Sequence, residues 1–210
     1  MLLEKFICGP LQTNCYLIGC IKTKIAAVID PAKGSAPLIV TACEKNEMKL
    51  KKILLTHSHW DHIVDVAALY QETSAEVWVH ILDAENLQYP GADQLPLFFS
   101  IQGLEADHFY EKDLSVGDLQ LKVIHTPGHS PGSVCLYLEK EDLLFSGDTL
   151  FAGTMGNVSF PNSEPKKMWE SLKKLQSLPK KTRVLPGHGP DTILSEESWI
   201  GEAEKLYNNQ

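Results

Sequence analysis

Two hundred and ten residues, 43% hydrophobic and 22% charged, describe an ordinary globular chain with room for one sizeable core or two halves sharing it. A formal net charge of −8 argues against a nucleic-acid or anionic-membrane partner, because either needs a basic face. No stretch approaches the roughly 18 apolar residues of a spanning helix, and Met1-Leu2-Leu3-Glu4-Lys5-Phe6 breaks its apolar run with two charges, so no secretory leader is expected.

Residues 2–8, 15–21 and 25–29 read as strands, separated by turns at Gly9-Pro10 and Lys22-Thr23-Lys24. Asp30-Pro31 ends the third. Asp30 is expected to form that turn, with support of a nearby ligand as the alternative. A helix over 36–48 leads to the buried strand 53–55. Ile63, Val66, Ala67 and Tyr70 then recur at helical spacing and predict a helix over 61–73. A strand at 76–79 and a helix at 82–87 precede a long loop, 88–105, that carries Pro90, Gly91, Pro96, Gly103 and Leu97-Phe98-Phe99. Loops of that length often serve as lids, but packing of the two phenylalanines into a satellite core is the preferred reading.

Strands are expected again at 107–111, 119–125, 133–138 and 142–145, the last two joined by the charged turn Glu139-Lys140-Glu141. A Gly-rich loop, 150–164, runs into a helix over 165–178, with Pro165 in its first turn and Met168, Leu172 and Leu175 on one face. After a strand remnant at 184–185 comes a closing helix over 195–207, capped by Ser195 and burying Trp199, Ala203 and Leu206. Strands and helices alternating in two successive sets give an α/β protein. The five cysteines (Cys8, Cys15, Cys20, Cys43, Cys135) are odd in number and form no C-x-x-C pair. They read as reduced, buried thiols of a cytoplasmic protein, and the spacing of Cys15 and Cys20 matches no usual zinc knuckle.

The densest chemistry lies in Thr56-His57-Ser58-His59-Trp60-Asp61-His62, at the junction of the 53–55 strand and the next helix. In an extended loop, side chains two apart point the same way, so His57 and His59 can converge while Asp61 and His62 are turned toward a second point. Imidazole nitrogens and carboxylate oxygens are good ligands for a divalent metal. Surface polar residues with Asp61 as the helix N-cap are the plain alternative. Further ligands are expected downstream. His125-Thr126-Pro127-Gly128-His129-Ser130-Pro131-Gly132 is a rigid turn in which His129 is the candidate ligand and His125 a hydrogen-bonded structural residue. Ser146-Gly147-Asp148 sets a carboxylate just past a strand end, and Pro186-Gly187-His188-Gly189-Pro190 presents one more imidazole. His80 and His108 read as surface or strand-end residues. Trp60 reads equally as pocket mouth or helix packing.

The order H-x-H-x-D-H, P-G-H, G-D and P-G-H-G resembles the metallo-β-lactamase superfamily, over about residues 14–197. Gly9-Pro10-Leu11-Gln12-Thr13-Asn14-Cys15-Tyr16, Ile29-Asp30-Pro31 and the stretch 145–153 resemble its short, single-domain glyoxalase II-like hydrolases. The resemblance implies one domain over 1–210 folded as a four-layer αβ/βα sandwich with a two-metal site at one edge. It implies that His57, His59 and His129 hold one ion, that Asp61, His62 and His188 hold the other, and that Asp148 bridges them. The ions are expected to be zinc, with iron or manganese as alternatives. The loop matching the family's Gly-Arg-Thr-Asp reads Gly156-Asn157-Val158-Ser159, and full glyoxalase II enzymes carry a further helical domain that helps bind glutathione.

The implied reaction is hydrolysis of a small thioester such as S-lactoylglutathione. Two ions sharing a water lower its pKa from about 15.7 toward about 7, and the metal-bound hydroxide attacks a polarised carbonyl, with Asp61 orienting it or taking its proton. A persulfide dioxygenase-like oxidoreductase with a single iron is the alternative.

Overall fold

Short runs of residues, many of them buried on both faces, build two sheets, seen in the computed structural model, which describes residues 1–208. The first holds β1 (Leu2–Cys8), β2 (Thr13–Cys20), β3 (Ile25–Ile29), β4 (Lys49–Leu54), β5 (Glu76–Val79) and β6 (His108–Phe109), in that spatial order. Helix α1 (Ala36–Lys45) connects β3 to β4, and α2 (Trp60–Ile63) and α3 (Val66–Thr73) connect β4 to β5. A 3-10 turn at Ile81–Asp83 and α4 (Ala84–Gln88) follow β5. The second sheet holds β7 (Leu114–Val116), β8 (Leu119–His125), β9 (Val134–Leu138), β10 (Leu143–Gly147), β11 (Arg183–Pro186) and β12 (Thr192–Ile193) in the order β12-β11-β10-β9-β8-β7. Helix α5 (Pro165–Gln176) lies between β10 and β11, and α6 (Ala203–Asn208) follows β12.

Every residue of β2 is buried, because the strand has a packed surface on each face. Cys15 and Leu17 point into a core shared with α1 and α3 residues such as Ile39 and Leu69. Tyr16 and Ile18, one step along, point into the core between the sheets, against Leu136, Phe145 and Leu185. On the far side of the second sheet, Cys135 and Leu144 meet Met168, Leu172 and Leu175 of α5. Helices, sheet, sheet and helices therefore stack as four layers, the expected α/β sandwich.

Local differences from the sequence reading have local causes. The helix expected over 61–73 is two helices, interrupted at Val64-Asp65, where the Asp65 carboxylate accepts the Ala36 amide at 2.8 Å and its own amide bonds Pro31. β6 is two residues long rather than five, and β7 and β12, too short to show a period, were not anticipated. The closing helix is a 3-10 turn, Ser198–Glu202, followed by α6, so Ser195 caps nothing. Ile200 and Ala203 are buried there, while Leu206 is exposed. All five cysteines are free and buried.

Candidate metal centre

The seven candidate ligands sit in loops that leave strand ends on one edge of the sandwich. β4 leads into His57 and His59, with Asp61 and His62 in α2 just beyond. β8 delivers His129, β10 delivers Asp148, and β11 delivers His188. The two sheets are sewn together at this edge. Asn14 donates its backbone amide to the Gly187 carbonyl at 2.7 Å and its side-chain amide to Pro186 and Gly189 at 2.8 and 2.9 Å. Tyr16 Oη adds a bond to the Pro186 carbonyl at 2.7 Å.

The side chains converge as two triads. One ligand atom from each of His57, His59 and His129 lies within 4.8 Å of the other two, and the same holds for Asp61, His62 and His188. Asp148 stands between the triads. Its Oδ1 is 3.5 Å from His62 Nε2, while Oδ2 is 3.4 Å from His129 Nε2 and 3.5 Å from His188 Nε2. Gly187 is required here, since a Cβ on it would collide with Asp148 Oδ1 and crowd His62.

The outward nitrogens of four of the five histidines are already engaged. Nδ1 of His129 bonds the Asn157 carbonyl at 2.8 Å, and Nδ1 of His188 bonds that of Leu11 at 3.1 Å. Nδ1 of His62 meets Asp30 Oδ2 at 3.0 Å, and Nδ1 of His57 meets Thr56 Oγ1 at 3.1 Å. Those partners fix the tautomers and turn the Nε2 lone pairs inward. Inward, His57 Nε2, His129 Nε2 and Asp148 Oδ1 are buried without a hydrogen-bond partner among the described residues. The Nε2 atoms of His62 and His188 face each other at 3.3 Å, a distance that needs a proton or a cation beside them. Buried polar atoms left unpaired are costly, so this donor set fits a pair of metal ions.

Electrostatics divide the cluster. Burial, reinforced by neighbouring imidazoles, holds His57 and His59 well below the usual histidine range, and burial outweighs Asp148 to lower His129 as well. Burial also opposes charge on Asp61 and His62, but their mutual attraction wins. With further help from His188 and Thr13, Asp61 stays well below the usual carboxylate range. Asp148 and Asp30 help lift His62 to about 10.

The family model described as the metallo-beta-lactamase superfamily matches residues 8–188. The chain belongs to that superfamily. Among its relatives, the probable metallo-hydrolase YqgX of Bacillus subtilis is 33% identical over 195 residues, covering 90% of this chain and 91% of that protein. The hydroxyacylglutathione hydrolase GloC of Haemophilus influenzae is 28% identical over 193 residues, covering 89% and 90%. Two solved structures share the fold closely. The BLEG-1 B3 metallo-beta-lactamase has a TM-score of 0.86 at 34% identity, covering 95% of this chain and 99% of its own. TTHA1623, in a di-iron-bound form, has 0.81 at 36% identity, covering 93% and 96%. Superfamily membership and the His/Asp cluster together make the protein a metal-dependent enzyme.

Some contributors are absent from the sequence reading and others stand in it only as alternatives. Asp30, read as a turn former, is buried at φ +52° and accepts the Thr56 amide at 2.7 Å, the Thr56 hydroxyl at 2.6 Å and His62. Its position before a proline favours the turn, and the structure bears out the alternative, support of a nearby ligand. Thr13 donates to Asp61 Oδ2 at 2.7 Å. Phe160 lays its ring edge against His59 and His129, with centroids 5.5 and 5.6 Å away. Phe98 and Phe99 do not enter a core. They stand edge-on to Trp60 at 5.4 and 5.5 Å and, with Trp60, Pro10, Leu11 and Lys33, wall an apolar cavity of about 750 Å³. Trp60 thus lines a cavity and packs at once. His125 donates to or accepts from nothing in the cluster; its ring bonds Pro131 and stacks on His80 at 4.1 Å. His108 is exposed and its ring lies tilted against Trp78, with centroids 4.3 Å apart.

Proposed function

We propose that the protein hydrolyses a small-molecule thioester, with S-lactoylglutathione as the leading candidate, at a site where His57, His59 and His129 hold one divalent cation and Asp61, His62 and His188 hold a second. The observation that carries this reading is the carboxylate of Asp148 facing both triads at 3.4–3.5 Å. Bound there, a pair of divalent cations supplies a water deprotonated near neutral pH and a polarised carbonyl. Zinc suits the nitrogen-rich set, and iron or manganese are the other candidates. Asp61, kept ionised and fixed by Thr13, orients the attacking water. Phe160 closes one side of the cleft against solvent, and the cavity beside Trp60 seats the remainder of the substrate.

The groups lining the cleft are imidazoles and carboxylates. A thiol, with a pKa of about 8.5 by analogy with free cysteine, departs without a proton donor far more readily than an amine. That favours a thioester, and the relative named as a hydroxyacylglutathione hydrolase supports the same choice. Five free, buried cysteines support a cytoplasmic setting. A β-lactam amide is the second reading, favoured by the likeness to BLEG-1.

Protein loaded with zinc, iron or manganese is expected to cleave S-lactoylglutathione, with Asp61→Ala at least about a hundredfold slower. Full activity in Asp61→Ala refutes the assignment. Turnover of a chromogenic cephalosporin instead selects the β-lactam reading, and oxygen uptake with one iron per chain selects the dioxygenase.

A further inference from the structure

Asp83 lies in the 3-10 turn after β5, outside both triads, and is buried. Its carboxylate collects three donors from two loops. Oδ2 accepts the Ser58 amide at 3.0 Å and the Ser130 hydroxyl at 2.8 Å, and Oδ1 accepts the Gly132 amide at 2.5 Å. Ser58 is the residue between His57 and His59, and Ser130 follows His129. The first loop leaves a strand of one sheet, and the second leaves a strand of the other. The carbonyl side of the Ser58 residue is held as well, by Asn86 Nδ2 at 2.6 Å, and Asn86 is itself anchored on Asp93 at 2.9 Å. Gly132 has no room for a side chain, since a Cβ there would sit 2.5 Å from Asp83 Oδ1.

We propose that Asp83 is a positioning residue that holds His57, His59 and His129 in ligand geometry before any cation arrives, with Asn86 locking the other side of Ser58. The inference rests on the two-cation reading of the site. It follows from reach: a single carboxylate bonds the backbone amide between His57 and His59 and, beside His129, the Ser130 hydroxyl and the Gly132 amide, while none of its bonds goes to Asp61, His62, His188 or a residue next to them. Both oxygens must accept. Asparagine has the same shape but offers one acceptor, and its amide would face a backbone N–H.

Co²⁺ titration of the metal-free full chain, followed by visible absorbance and calorimetry, tests this. His59→Ala and His188→Ala assign the two binding steps. Asp83→Asn is expected to weaken the His59-dependent step about 10–100-fold, the range seen when support of a metal ligand is lost, and to leave the His188-dependent step within about threefold. A purely structural Asp83 would instead lower the melting temperature of the metal-free chain and shift both steps alike, which overturns the proposal. An unchanged first step overturns it too. If Asp83→Asn does not fold, Ser130→Ala removes only one of the three donors and is expected to weaken the first step several-fold; no change there has the same force. A wild-type chain that binds fewer than two equivalents sinks the two-cation reading and the clamp together, whereas two equivalents with an indifferent Asp83→Asn sinks the clamp alone.

Discussion

His62 touches three carboxylates, and only one of them, Asp30, is turned to its outer nitrogen. Asp30→Asn isolates that contact, because asparagine tolerates the φ of +52° found there and the backbone is left at ease. The expected result is a 10–100-fold loss of metal affinity or kcat/KM, measured by titration and by thioester turnover. Gly187→Ala is expected to lower kcat/KM by about a hundredfold with only a small change in melting temperature, since its methyl group displaces Asp148 rather than opening the core. At this scale the ligands were legible because chemistry demands rare residue types at fixed spacing. Their supports were not. Asp30 is a single carboxylate in a stretch that reads as a turn and Asp83 one in a stretch that reads as a helix, and the donors they collect come from residues 25 to 49 positions away.

Strands β2 and β11 belong to different sheets, and Asn14 carries much of their junction at the cleft edge. Asn14→Ala removes two side-chain bonds to carbonyls of the His188 loop, a loss of about 1–3 kcal/mol that thermal melting reports as roughly 2–4 °C per kcal/mol. The second cation should also bind more weakly in this variant, because the loop presenting His188 is no longer tied down. The longer strands and α5 were readable from their periodicity. The short strands β7 and β12 were not, since their existence depends on a neighbour across the sheet rather than on a pattern of their own. The break between α2 and α3 was hidden for a similar reason: apolar spacing continues through it, and only the tertiary bonds of Asp65 reveal it.

Across the whole molecule, buried imidazoles link stability to pH. His57, His59 and His129 stay neutral in the folded chain below the ordinary histidine value of 6.5, whereas the unfolded chain takes up protons there. Metal-free protein should therefore lose stability as pH falls below about 6.5, by up to about 1.4 kcal/mol per pH unit for each such histidine. His62 has the opposite sign: its contribution is complete below 6.5 and drains away as pH rises toward about 10. Melting scans in chelator from pH 5 to 9 should peak near neutrality, and a curve still rising at pH 9 would contradict this. Returning cations at about a thousand times their Kd should add about 4 kcal/mol per site. Asn14 and Gly189 meet across 175 residues, which places the two halves of the cleft far apart in time as well as in sequence. A growing polypeptide has made every imidazole of the first triad by residue 129, yet it must wait for His188, roughly 3–12 s later at ordinary elongation rates, before the second triad can exist. The nitrogen-only triad is thus fully synthesised before the triad that needs His188.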